Sequence, residues 1–486
     1  MRGLLATSIG VTCAAALALP LTSPATAAPV RPAPSAQAGN ADTGGTIDTR
    51  APALPGSTQS LPLTPLTRDR SLGSAGRGLF RQDVHPFSLL GVVWDDPDAE
   101  LGGRVQVRTR PSGGDAWSGW QDLETHNADH GADPGTAERD SGRVRGATAP
   151  LWVGDSDGVE VRVRPGTRSR PEETGRGLRT RTAARLPAGL RLDLVDPGTP
   201  APAHVPAGPT RGRALPPALG GGLPSVTKAV SAAAPAPAAV SAAAANADLA
   251  PLGAREIPAL DRARTERELL SLRRGELTSR QRAKPYIGPR PAIVTRKGWG
   301  ADESIREAGF RYTTTVKAAF VHHTATGNNY TCAQAPSVIR SIYRYHVKSL
   351  GWRDIGYNFL VDKCGNIYEG RAGGVANAVL GAHTLGFNTN STGIAVLGTF
   401  TTAKPNSATV SAVSRLTAWK LGLFGANPKG KTYLKSGGGN LYAKGENVRL
   451  NVISGHRDGF ATECPGKQLY GKLGSARSAA AQLQGR

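Results

Sequence analysis

Lys317-Ala318-Ala319-Phe320-Val321-His322-His323 and, far downstream, Arg449-Leu450-Asn451-Val452-Ile453-Ser454-Gly455-His456 are two mainly apolar runs that each lead into histidine. Short apolar segments bounded by polar or Gly-rich residues read as buried strands, so each histidine is predicted where a strand gives way to a loop. Between the two runs the pattern changes period. Ser337 to Leu350 places Val338, Ile342 and Tyr345 on one helical face, with Ser337 as the predicted N-cap. Tyr357 to Arg371 reads as a hairpin turning at Asp362-Lys363-Cys364-Gly365-Asn366, and Gly393 to Phe400 as another buried strand. Thr409 to Phe424 is helical, with Val410, Val413 and Leu416 toward a core. Strands and helices in this mixed order predict an α/β domain over 286–486, a central mixed sheet flanked by helices.

Upstream the composition differs. Arg104 to Arg110, Val159 to Arg164 and Leu190 to Val195 alternate apolar and polar residues with period two, and Ser88 to Trp94 is a continuous apolar run. Such strands, separated by Gly/Pro/Asp turns, predict an all-β sandwich-like module over 80–197. Trp117, Trp120 and Trp152 fit either packing within it or a sugar-binding face. Residues 198–285 are predicted to be an Ala/Pro-rich linker with a short charged, exposed helix within 254–283, and 29–79 a disordered Pro/Ala-rich segment. Residues 1–28 have the form of a secretory signal: Arg2, the broken apolar stretch Leu4–Leu21, then small residues before Pro29. An uncleaved anchor helix is the rival reading, but the run is short and interrupted for a membrane span.

With 59 Lys+Arg against 37 Asp+Glu, the chain of 486 residues carries +22. That field favours anionic polymers: nucleic acid, acidic membrane or phosphate-bearing cell wall. Of the four cysteines, Cys13 lies in the signal, leaving Cys332, Cys364 and Cys464. An odd count in an exported protein suggests one bridge and one thiol otherwise employed.

His322, His456 and Cys464, eight residues after His456, form a candidate donor set. Two neutral imidazoles and a thiolate suit tetrahedral Zn²⁺ with a fourth position open to water. Zinc acidifies such a water and polarises an amide carbonyl. Spacing alone leaves two other readings open: a buried thiol beside unrelated histidines, and a cysteine nucleophile with a histidine base.

Phe320-Val321-His322-His323-Thr324-Ala325-Thr326, Gly351-Trp352-Arg353-Asp354-Ile355-Gly356-Tyr357-Asn358-Phe359 and Ile367-Tyr368-Glu369-Gly370-Arg371 resemble the peptidoglycan recognition proteins. So do Gly381-Ala382-His383, Ser391-Thr392-Gly393-Ile394-Ala395-Val396 and Gly455-His456-Arg457-Asp458 with Thr462-Glu463-Cys464-Pro465-Gly466, all in the family's order. The resemblance extends to phage lysozyme-like amidases. It implies that His322, His456 and Cys464 are zinc ligands. Tyr357 would orient the zinc water or stabilise the oxyanion, and Thr462 would be the second transition-state contact. It further implies substrate contacts from His383 and from the Gly351-Trp352 pair, which in the family accompanies diaminopimelate-type stem peptides. Arg371 is a candidate for the extra carboxylate. His346 is either a cleft residue or a surface one, and His323 is expected to pack or support rather than ligate. The family also carries a disulfide in this region, which implies Cys332–Cys364.

The activity so implied is that of a secreted, wall-associated zinc N-acetylmuramoyl-L-alanine amidase acting on peptidoglycan. A non-catalytic peptidoglycan-binding protein is the alternative, and the intact His, His, Cys and Tyr set argues against it. Nucleic acid is not the expected partner, because no binding motif is present and the chain is expected to be exported; anionic wall polymers suffice for the charge. For the 80–197 module, wall targeting, inhibition and spacing are all open.

Overall fold

The computed structural model describes residues 56–66, 76–81, 83–125, 127, 129–169, 181–199 and 237–486, and Ala53–Arg486 forms one compact unit. The expected signal at 1–28 and the stretches 29–55 and 200–236 lie outside the described residues.

The N-terminal half is β-rich, and the fifteen-residue strand Leu151–Pro165 organises it. Its first part pairs antiparallel with Phe87–Trp94. Its second part pairs with Gly103–Pro111 on one side and Arg77–Arg81 on the other. One strand therefore serves two layers. Leu90, Val92 and Trp94 share a core with Val105, Val107, Val159, Val161 and Val163, the inward half of each alternating pattern. The expectation that 29–79 lacks structure is corrected at its end. Ser57–Pro62 pairs with Arg191–Asp196, and Thr64–Pro65 with Arg77–Arg81. Pro- and Ser-rich strands are admissible at a sheet edge, where a missing N–H leaves no partner unpaired.

The C-terminal half holds a seven-stranded mixed sheet in the order Glu256–Ile257, Ile293–Val294, Ile367–Glu369, Phe359–Val361, Ser391–Val396, Ala318–His323, Ile453–Gly455. Period two divides its faces. Phe359, Val361, Ile394 and Val396 pack with the helices Ser407–Gly422 and Leu473–Gln484. Leu360 and Ala395 pack with Ala335–Arg344. The run 449–455 is two strands rather than one: Asn447–Asn451 pairs with Lys431–Lys435 in a separate ribbon, and only Ile453–Gly455 joins the main sheet. Ser337 is not an N-cap, since the helix begins at Ala335 with Pro336 in its first turn, where a missing N–H costs nothing.

Much of the expected linker 198–285 is part of the domain. Pro237–Ala244 is a helix, and the buried Asn246 after it donates to Glu369 (2.8 Å) and accepts from the Val375 amide (2.9 Å). Arg262–Arg273 is the expected charged helix, capped by Asp261, but Leu269 anchors it in the core. Ala-rich composition conceals this because two or three anchoring side chains suffice once a core exists to receive them.

The two halves share a core. Leu89, Val93, Trp152 and Val195 pack with Trp299, Val338, Ile342 and Tyr345. A Cβ on Gly91 would lie 2.2 Å from the Tyr345 hydroxyl, which donates to the Thr148 carbonyl (3.1 Å). Trp152 is thus buried at this junction; Trp117 and Trp120 are half-buried under the Arg108 and Arg162 guanidinium groups.

Cys332 and Cys364 are disulfide-bonded with Cα atoms 6.2 Å apart, tying the start of the Ala335 helix to the hairpin turn. Closing a loop of 32 residues stabilises by about 3–4 kcal/mol on the chain-entropy account. The Cys332→Ser/Cys364→Ser variant is expected to lose that amount in guanidinium unfolding, and an unchanged midpoint would contradict it.

Candidate metal centre and cleft

Parallel pairing brings the histidines together. Ala318–His323 and Ile453–Gly455 run side by side with Val321 opposite Gly455. His322 and His456 therefore sit level at the carboxyl ends of adjacent strands, where open α/β sheets offer their sites. The turn His456–Asp458 is fixed by Asp458, which accepts from the Gly455 amide (2.9 Å) and the Tyr470 hydroxyl (2.6 Å). The Arg457 amide donates to the Cys464 carbonyl (3.0 Å) and the Cys464 amide to the Thr462 hydroxyl (3.2 Å). These bonds bring the Cys464 sulfur to 3.7 Å from His322 Nδ1.

A fourth donor comes from the N-terminal half. His130, in the loop after strand Gln121–Leu123, places Nε2 3.9 Å from Cys464 Sγ. The donor atoms of His130, His322, His456 and Cys464 all lie within 4.8 Å of one another, and all four residues are buried. Zinc bond lengths of about 2.0–2.3 Å in a tetrahedron set neighbouring donors roughly 3.3–3.8 Å apart, which these separations approach.

Two further observations fit a cation. His456 Nδ1 is buried without a hydrogen-bond partner, a costly state unless something accepts its lone pair. The outward nitrogens of two donors are held from behind: His130 Nδ1 by Asp129 Oδ1 (3.0 Å) and His322 Nε2 by His383 Nδ1 (3.3 Å), the arrangement that fixes a ligating imidazole. Burial pushes His322 well below the ordinary histidine value, and burial with nearby His130 pushes His456 down to about 3. Both imidazoles are therefore neutral, as ligation requires. Burial drives the Cys464 thiol well up, so the thiolate forms only where a cation takes the proton's place.

The other candidate residues fall around this cluster. The Tyr357 ring lies 5.5 Å from that of His322, and Tyr357 and Thr462 line a cavity of about 250 Å³ beside Cys464. His346 is buried rather than exposed: its Nδ1 accepts from the Gly356 amide (3.1 Å) and its ring packs tilted against Trp352, centroids 4.4 Å apart. It holds the segment that carries Tyr357. His383, expected to contact substrate, is instead fully buried behind His322, with Nδ1 also 3.0 Å from the Thr384 hydroxyl. His323 lies outside the cluster, with Nδ1 accepting from the Phe400 amide (3.3 Å). Gly351 has φ +74°, and a Cβ there would lie 2.0 Å from the Arg143 carbonyl, so its glycine admits the N-terminal half. Arg371 is buried, with Nε donating to the Ile355 carbonyl (2.8 Å) and both terminal nitrogens 2.9 Å from the Glu138 carboxylate.

His130 and Glu138 carry no signal in the sequence. Asn127 to Asp140 reads as a polar loop, and nothing in its spacing points across the chain to His322.

Residues 312–467 match the family described as N-acetylmuramoyl-L-alanine amidase. Residues 46–185 match that described as Rv3811 N-terminal galactose-binding domain-like. Peptidoglycan-recognition protein SC2 of Drosophila simulans is 31% identical over 181 residues, 37% of this chain and 84% of that protein. Peptidoglycan-recognition protein SC1a of Drosophila melanogaster is 35% identical over 191 residues, 39% and 87%. A solved human structure, PGRP-IBETAC in complex with glycosamyl muramyl pentapeptide, aligns at 30% identity over 38% of this chain and 94% of its own, with a TM-score of 0.30. With its likeness in sequence to the two Drosophila proteins, the chain belongs to the peptidoglycan recognition protein family, its type 2 amidase domain preceded by a β-rich, galactose-binding-like domain.

Proposed function

We propose that this chain is a secreted zinc amidase that hydrolyses the bond between the lactyl carbonyl of N-acetylmuramic acid and L-alanine of the stem peptide. The observation that carries the proposal is the convergence of His322, His456 and Cys464 beside Tyr357. Zinc held by those three residues would supply a Lewis acid for the scissile carbonyl and an acidified water. Tyr357 would donate its hydroxyl hydrogen bond to the developing oxyanion; burial pushes that phenol well above its ordinary value, so it stays protonated. Thr462 would make the second contact. The water oxygen becomes bonded to the lactyl carbon, the C–N bond breaks, and the alanine nitrogen leaves as an amine with the proton the water gave up.

The same burial disfavours a cysteine nucleophile, because a thiol pushed upward beside a histidine pushed downward does not form an ion pair. Gly351, Trp352, His346 and His383 would act through the shape of the cleft. Arg371, a buried guanidinium already held by the Glu138 carboxylate, would take a stem-peptide carboxylate such as that of diaminopimelate. The surplus of basic residues suits anionic wall polymers, and the disulfide suits an oxidising compartment. No helix among the described residues is long and apolar enough to cross a membrane.

Metal removal tests the reading. Chelation is expected to abolish release of stem peptide from a labelled muropeptide, and stoichiometric zinc to restore it; activity that survives complete metal removal would refute it. Tyr357→Phe is expected to keep its zinc and lose about 10²-fold in kcat, the cost of one oxyanion donor. A variant with unchanged kcat would take Tyr357 out of the chemistry.

A further inference from the structure

Side chains of the N-terminal half stand against the residues proposed here to hold metal and substrate. His130 stands among the three ligand residues and Glu138 grips Arg371 through two parallel bonds of 2.9 Å. Asp133 accepts from Asn388 Nδ2 (2.6 Å) and the Gly386 amide (2.8 Å), and the Asp129 carbonyl accepts from the Leu385 amide (3.0 Å) and lies 3.1 Å from His456 Nε2. All four of these residues are at least nine-tenths buried. The loop thus offers an imidazole where water would bind and a carboxylate where the anionic end of a peptide would bind. A loop that merely covered a surface would not need both.

From this we infer that residues 129–140 are an internal occupant of the cleft, holding the amidase latent, with His130 as a fourth metal ligand and Glu138 standing in for a substrate carboxylate. The inference rests on the proposed amidase site and concerns its regulation. Four tetrahedral ligands close a zinc site, whereas a catalytic one keeps a position open. Substrate must then displace the loop, and its apparent affinity falls by the fraction of molecules in which the loop is out. The shared core around Tyr345 keeps the loop's anchorage in place, so the loop is present at high effective concentration.

The test uses the full chain, loaded with metal, and a muropeptide whose lactyl–alanine amide is replaced by a non-hydrolysable isostere. Calorimetry compares wild type, His130→Ala/Glu138→Ala and, should that variant fail to fold, Glu138→Ala alone. Binding at least tenfold tighter in the variant is expected. The cobalt-substituted protein gives a second reading: His130→Ala is expected to change the visible ligand-field spectrum as water replaces an imidazole. Affinity unchanged in the folded variants overturns the inference, whatever the spectrum. Because binding is read without turnover, the two proposals fail separately. Tighter binding by a variant that still cannot cleave natural muropeptide would refute the amidase and leave the occupied cleft standing.

Discussion

Cys464→Ser is expected to lower kcat/KM for muropeptide cleavage by about 10³ or more and to release most of the zinc. The sulfur is the only thiolate donor in the cluster and lies 3.7 Å from His322 Nδ1. A serine hydroxyl is shorter, harder and neutral, so it neither reaches the same point nor balances the charge of the cation. Lewis-acid stabilisation of the transition state amounts to several kcal/mol, and about 4 kcal/mol corresponds to about 10³ in rate. Measured together, metal content and cleavage rate should fall together. Loss of metal with retained activity would refute the mechanism, and loss of activity with full metal would move Cys464 from ligand to some other role. The fold should survive, because Cys464 lies in a loop whose backbone bonds to Arg457 and Thr462 do not involve sulfur.

The second large effect concerns stability. Arg296 is fully buried beside Trp299 and Tyr343, donating to Glu303 (2.7 Å), Asp354 (3.1 Å) and the Gly370 carbonyl. Asp354 in turn accepts from the Ile355 and Ala372 amides, 2.7 and 2.9 Å away. It thereby connects the segment leading to Tyr357 with the one leading from Arg371. Arg296→Met leaves the buried Asp354 carboxylate without a cation and Glu303 with Arg306 alone, and breaking such a buried pair from one side costs about 3–5 kcal/mol. The expected result is that loss in chemical denaturation, with weaker muropeptide binding in the part that still folds. A variant within about 1 kcal/mol of wild type would mean that Arg306, which also donates to Glu303 (2.6 Å), suffices to neutralise the cluster.

The central sheet and the two strand-end histidines were legible because the signals are local, whereas a zinc-ligand set that includes Cys464 needed the family motifs, since spacing alone left two other readings open. Apolar runs ending in histidine name the strands, and parallel pairing follows from the helices between them. Tyr357 could be singled out only through its motif; periodicity gives it no distinction from Tyr343 or Tyr345, which are core residues. The order within 237–285 was hidden because Ala-rich sequence looks alike whether it packs or not. What anchors it is Asn246 meeting Glu369, a pairing 123 residues apart that no local rule detects. His130 is the extreme case. Its contact with Cys464 spans 334 residues and depends on how two halves dock, information carried by the shape of the junction at Gly91 and Gly351 rather than by any motif.

The most direct test of the amidase assignment is product identification by mass spectrometry. Zinc-loaded full-length protein and its His130→Ala/Glu138→Ala variant would be incubated with a defined disaccharide muropeptide. The expected products are an intact disaccharide bearing a free lactyl carboxylate and a stem peptide with a free L-alanine amine, formed faster by the variant. Cleavage between the sugars, cleavage within the peptide, or no product from either protein would contradict it.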